Sequence, residues 1–197
     1  KAFYELVSID LSASLFVPNN HYTQWYQQVD EATAMSVKSE NQSFLTRILL
    51  FKAYYEFHSL KDAGLACASV KIAWDKSLEF EDYISQIQIV FFQEHYLFCD
   101  SSVFQIRDFD LDATIARIPS SDEKIQALSI VEFHYLLKSN YPQALKFLRQ
   151  LVDLSELNDR DDVLGIAYAD FGTIYSEIGS DNEALIYFNQ SVELFKR

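Results

Sequence analysis

With 197 residues, the chain is long enough for one globular domain or one short helical solenoid. Of these residues 49% are hydrophobic, yet there are only 4 Gly and 3 Pro, fewer than the turn-rich connections of a β-sandwich or an α/β enzyme require. A formal net charge of −13 disfavours a phosphate backbone or an anionic lipid surface as partner, and suits solubility or a neutral or basic protein partner.

In chain order, a first helix is expected from near Ala2, and Asn20 precedes a second over His21–Ser36. Ser39-Glu40-Asn41-Gln42 reads as a capping box that opens a third, with Phe44, Ile48, Phe51 and Tyr55 at helical spacing. Asp62 opens a stretch through Trp74, Asp82 opens Tyr83–Phe98, and Asp108 opens a short helix through Ile118. Ser120-Ser121-Asp122-Glu123 is a second capping box. A helix from Tyr141 follows, with Leu145, Leu148, Leu151 and Val152 on one face. Asp161 and Asp162 place negative charge at the start of the next, and Ser180-Asp181-Asn182-Glu183 caps the last.

Sorted by position, first helices start near Ala2, Asn41, Asp82, Asp122 and Asp162, and second helices near Asn20, Asp62, Asp108, Tyr141 and Asp181. The spacing within each class is about forty residues, a period of stacked helical hairpins. The expected fold is therefore all-α, one domain over 1–197 made of five antiparallel hairpins at about 1–38, 39–78, 79–119, 120–158 and 159–197. One hairpin cannot offset the entropy of ordering its own chain, so stability has to come from stacking on its neighbours.

The last hairpin resembles a tetratricopeptide (TPR) repeat. Tyr168, Phe171, Gly172, Tyr175, Gly179, Ala184, Phe188 and Ser191 fall where such a repeat has its bulky, apolar, small, aromatic, turn, small, aromatic and small residues. Gly172 and Ala184 would leave room at the helix crossing, while Phe171, Tyr175 and Phe188 fill the space beside it. Forty residues earlier, Leu128, Val131, Tyr135, Ala144, Leu148 and Leu151 match less fully, with Glu132 where the small residue belongs. The hairpin from Leu50 to Val70 offers Tyr54 and Ala63, and the remaining two match in period and pattern. The repeat proline near the end of the second helix is replaced by Lys196, and the period exceeds the usual ~34 residues. The chain thus resembles the longer-repeat subgroup common in bacterial regulators and sensors. The resemblance implies a right-handed superhelical stack whose first helices line a concave groove. Groove-facing positions are then Lys52, Tyr55, Gln93, Tyr96, Phe133, Leu136, Thr173 and Ser176, although Phe133 and Leu136 fit inter-repeat packing equally well.

Catalytic and cofactor motifs find no match. Asp108-Phe109-Asp110-Leu111-Asp112 opens like a calcium loop, but Ala113 and Pro119 stand where the turn glycine and closing glutamate are required, so it reads as an acidic helix start. His58, His95 and His134 recur once per hairpin, while His21 falls outside that rhythm. Without converging ligands these histidines read as partly buried residues beside Tyr54, Tyr96 and Tyr135, and no metal or cofactor is expected. Gly64, Gly165, Gly172 and Gly179 form no phosphate loop. Cys67 and Cys99 have no metal spacing and read as small buried hydrophobes. Asn41-Gln42-Ser43 and Asn189-Gln190-Ser191 match the glycosylation pattern but sit at or inside helices.

The expected function is non-catalytic binding of a protein or peptide, not nucleic acid and without membrane insertion. The resemblance suggests the sensory or regulatory part of a larger bacterial signalling protein, such as a diguanylate cyclase, histidine kinase or transcription regulator. A structural adaptor in a multiprotein complex is the alternative, and part of an enzyme catalytic elsewhere comes third. The compartment is open between cytoplasm and periplasm. The chain starts at Lys1 and stops within an expected helix at Arg197, which reads as a piece of a longer protein. A homodimer through Leu185, Val192 and Phe195 at that end is expected, since stacked repeats leave an open face there.

Overall fold

The computed structural model describes Glu31, Thr33, residues 42–58 and 60–96, Cys99, Ile106 and residues 108–196. Eight helices are delimited among these residues, with no strand: α1 Gln42–His58, α2 Ala63–Glu79, α3 Tyr83–Tyr96, α4 Leu111–Arg117, α5 Ser121–Leu137, α6 Tyr141–Leu157, α7 Asp161–Glu177 and α8 Asp181–Phe195. The architecture is an all-α helical repeat. The first expected hairpin, over 1–38, and the Ser39 capping box fall outside the described residues, apart from Glu31, Thr33 and Gln42.

Side-chain caps set four of these starts. Asp62 accepts from the Leu65 N–H at 2.9 Å, Ser120 from Glu123 at 3.4 Å and Asn140 from Gln143 at 3.5 Å. Two expectations need correction. The short α4 is capped by Asp110, which accepts from the Ala113 N–H at 2.9 Å, while Asp108 adopts a left-handed φ of 56° before the helix. Ser180 is the N-cap of α8, but its side chain makes no capping bond, so the box expected there is not closed.

Scarcity of glycine is reconciled with short turns by a repeated backbone device. At Glu81, Ser139, Asp159 and Gly179 one left-handed residue ends the helix. The next N–H reaches back to a carbonyl in the last helical turn, as in Asn140 to Tyr135 at 2.9 Å and Ser180 to Tyr175 at 2.8 Å. Only the last of the four turns uses glycine.

The chain divides into two compact units. The first takes in 1–82 and 95–105, the second 83–94 and 106–197. In the first, α1 packs on α2 through Leu45, Ile48, Leu49 and Ala53 against Ala66, Val70 and Ala73. Cys67 and Cys99, which read from sequence as buried thiols, are instead joined in a disulfide within this unit, with Cα atoms 5.6 Å apart. Sequence spacing carries no sign of this, because Cys99 lies past the end of α3 and only the fold returns it to α2.

The second unit has one continuous core, including Ile87, Phe91, Ile115, Leu128, Val131, Phe147, Leu148, Leu151, Ala167, Phe171 and Ile174. Its first helices run side by side. From α3 to α5, Phe91 stacks on His134 with centroids 3.6 Å apart, and Glu94 meets both His134 Nε2 and Lys138 Nζ. From α5 to α7, Asp122 meets Arg160 at 3.0 Å. The second helices are tied likewise, Asp112 of α4 to Lys146 of α6 at 2.7 Å.

Candidate functional site

The most complete local geometry lies between α7 and α8. Gly172 and Ala184 are buried at the crossing, as the repeat pattern requires. Phe188 lies on Gly172, and Phe195 lies on Gly165 one step along the same interface. Ser191, between the two phenylalanines, donates to the Gly165 carbonyl at 2.6 Å. The sequence pattern puts Phe195 among the bare outer residues. It is 61% exposed, yet its ring tip covers Gly165, while Leu185 and Val192 are exposed as expected. Phe171 and Tyr175 both stack on Tyr187, at 4.8 and 5.3 Å between centroids, and Tyr168 leans on the same ring. Burial raises the pKa of the Tyr168 and Tyr187 hydroxyls above the ordinary tyrosine value. Sequence reasoning misses Tyr187, although it lies three residues after Ala184 on the inward face of α8.

In the preceding hairpin Leu128, Val131, Ala144 and Leu148 are buried and Tyr135 stacks on Phe147 at 5.7 Å.

The expected groove positions divide. On α5 Phe133 is 53% exposed and Leu136 half-buried, so Phe133 lies at the surface and not in inter-repeat core. On α7 Thr173 is half-buried, its hydroxyl donating to the Ala169 carbonyl at 3.0 Å, and Ser176 is exposed. On α3 Gln93 is half-buried. Lys52 on α1 is also half-buried. Tyr55, by contrast, is only 7% exposed and is buried together with Glu56, which removes it from any binding surface. The side chain of Tyr96 lies outside the described residues. Beyond the expected positions, Leu137 on α5 and Ile166 on α7 are exposed apolar residues of these same first helices.

The face carries charge as well. Glu132, immediately before Phe133, is 3% exposed, and its carboxyl faces Asp170 of α7. Burial raises the pKa of both carboxyls well above the ordinary carboxylate range, and for Glu132 the charge of Asp170 adds to the effect. Glu94 behaves oppositely. Burial alone would raise its carboxyl, but the bonds and charges of Lys138 and His134 outweigh that and hold it below the usual range. Arg160 grips Asp162 at 2.8 Å and holds that carboxyl down to about 2.

The side chains of His21 and His95 lie outside the described residues. His58 stacks against Tyr54 at 4.2 Å, with burial and then Lys61 lowering its pKa, whereas His134 is committed to Phe91 and Glu94. Among the described residues no group of three or more His, Cys, Asp or Glu side chains could hold a metal ion, and no helix is long and apolar enough to cross a membrane.

The tetratricopeptide repeat family model matches residues 127–197. The matched stretch takes in most of α5 and all of α6, α7 and α8, the two hairpins that carry the small, aromatic and turn positions. No curated protein and no solved structure matches the chain. Tetratricopeptide repeats are generally protein-interaction modules, and the face formed by α5 and α7 belongs to the matched stretch.

Proposed function

We propose that this chain is a non-catalytic module that binds a protein or peptide on the face of its first helices, as the sensory or regulatory part of a larger bacterial signalling protein such as a diguanylate cyclase, histidine kinase or transcription regulator. The observation that carries the binding reading is the exposure of Phe133 on α5, within the matched repeats, with Thr173 and Ser176 at the corresponding positions of α7. An exposed aromatic on a rigid helix is an effective anchor, since it offers a large apolar area at small entropic cost. Leu137 and Ile166 extend the apolar surface. With a net charge of −13, the favoured partner is neutral or basic, and nucleic acid is disfavoured. The Cys67–Cys99 bond favours an oxidising compartment, hence the periplasmic part of a membrane-anchored protein over a cytoplasmic one.

The test is selection of binders from a displayed random peptide library against the intact chain. Selected peptides should lose at least about tenfold in affinity, about 1.4 kcal/mol, on Phe133→Ala. They should be indifferent to Gln143→Arg on α6. Peptides that ignore Phe133 and lose binding to the α6 variant would refute the first-helix face.

A further inference from the structure

Glu132 occupies a position that the repeat pattern reserves for a small side chain, and the fold buries it there. No N–H or hydroxyl donor of another residue reaches its Oε2, and the group within hydrogen-bonding reach across the helix boundary is another carboxyl, Asp170 of α7. Two ionised carboxylates are acceptors only, so neither can satisfy the other. Isolated burial of such a charge is costly, and a second like charge beside it increases the cost. A single proton resolves both problems, because one carboxyl then donates to the other in a short charge-assisted bond.

We propose that Glu132 and Asp170 form a proton-operated latch between the first helices of successive hairpins, closed while the pair holds a proton and sprung by like-charge repulsion when it does not. The neighbouring cations are engaged elsewhere. Lys138 and His134 meet Glu94 of α3, Lys146 of α6 meets Asp112 of α4, and Arg160 of α7 meets Asp122 and Asp162. Arg149 of α6 acts on Tyr187 of α8. Among the described residues, the charged group acting on Glu132 is Asp170 alone, and the one acting on Asp170 is Glu132. Nothing therefore compensates the second charge when the proton leaves.

The latch lies under the proposed binding face, since Phe133 follows Glu132 on α5 and Thr173 follows Asp170 by one turn on α7. Its state sets the separation of those side chains, so proton loss would regulate partner binding. This role rests on the first-helix reading above, whereas the latch does not. The two carboxyls being raised, the closed form is stabilised fully below the ordinary carboxylate range, about pH 4, and the stabilisation is lost as pH rises through the raised values.

The experiment is carbon-detected NMR titration of the side-chain carboxyls in the intact chain, without any partner, from acid to mildly alkaline pH. The Glu132 carboxyl should titrate more than about one pH unit above the ordinary Glu value of about 4.3. It should fall back toward that value in Asp170→Asn, where an amide replaces the repelling charge. In parallel, the thermal midpoint of the wild type should decline with rising pH relative to Glu132→Gln, which has no proton to lose. Ordinary titration of every carboxyl in the wild type would overturn the latch, and needs no variant to fold. Equal pH slopes for wild type and both variants would overturn it as well. Failure of the peptide selection, by contrast, touches only the binding face.

Discussion

The Phe188 ring rests on the α-carbon of Gly172 so closely that a Cβ there would meet ring atoms Cδ1 and Cε1 at 2.7 Å and Cγ at 2.9 Å. Because Cγ is the root of the ring, only rotation about χ1 clears it, which takes the Phe188 ring off the crossing, so either that packing is lost or helix α8 shifts. Gly172→Leu should therefore lower stability by about 1–3 kcal/mol, seen as a lower thermal midpoint. Gly165 is the internal control. The Cβ there would meet the tip of Phe195, Cζ at 2.8 Å, on a side chain that is mostly solvent-exposed and free to swing. Gly165→Ala should cost much less, and the helix preference for Ala over Gly, about 1 kcal/mol, offsets part of the loss. Equal midpoint shifts from the two would contradict this difference.

How much of this is legible from sequence follows from where the signals are local. Starts of α2, α5, α7 and α8 are readable to within a residue or so because Asp62, Ser120 and the acidic first turns act on their own helix. The Gly172–Ala184 crossing is readable because its residue types follow from close helix approach. The disulfide is not, since pairing Cys67 with Cys99 depends on the chain returning to α2. Tyr55 and Phe133 show the same limit at the candidate face: the period places both on first helices, but burial depends on what packs over them, and it covers Tyr55 and leaves Phe133 open.

Turns at Ser139 and Gly179 have the same hydrogen bonds and nearly opposite chemistry. Ser139 holds φ at 54° despite its Cβ, whereas Gly179, at 79°, has open space for 4 Å around the place a Cβ would take. Ser139→Gly should stabilise by about 0.5–1 kcal/mol by relieving the left-handed strain. Gly179→Ala should cost about 1 kcal/mol through the backbone alone. Chemical denaturation midpoints would check both, and changes of the same sign would argue against a shared turn geometry.

Leu128 and Phe133 lie on the same helix, one fully inside and one half out. Leu128→Ala should cost about 2–5 kcal/mol, as a buried leucine next to a continuous core does. Phe133→Ala should change stability by no more than about 0.5 kcal/mol, the range of surface substitutions. A large loss from Phe133→Ala in thermal melts would mean that the ring is structural, and would remove the anchor from the candidate face.

Closing the loop between Cys67 and Cys99, 32 residues apart in sequence, restricts the unfolded chain. By loop-closure entropy the bond stabilises by about 3–4 kcal/mol. A reducing agent should lower the thermal midpoint, and Cys67→Ser with Cys99→Ser should reproduce the reduced value while itself ignoring reductant. Thiol titration of the oxidised chain in denaturant should find no free cysteine. Two free thiols would contradict the bond, and with it the argument for an oxidising compartment.

Glu94 and the Glu132–Asp170 pair should mark opposite ends of the pH profile. The Glu94 carboxyl is held below the ordinary range by Lys138 and His134 against the effect of burial. Its stabilisation is therefore present above the unfolded value and lost as pH falls through the folded one. Because the ion pair is half-exposed, the contribution should stay below about 1 kcal/mol. Glu94→Gln should thus be slightly less stable than the wild type at neutral pH, and the gap should close in acid. High salt should narrow it as well, since the pair reaches solvent. A gap that persists unchanged at acid pH would show that Glu94 stabilises through packing and not through its charge.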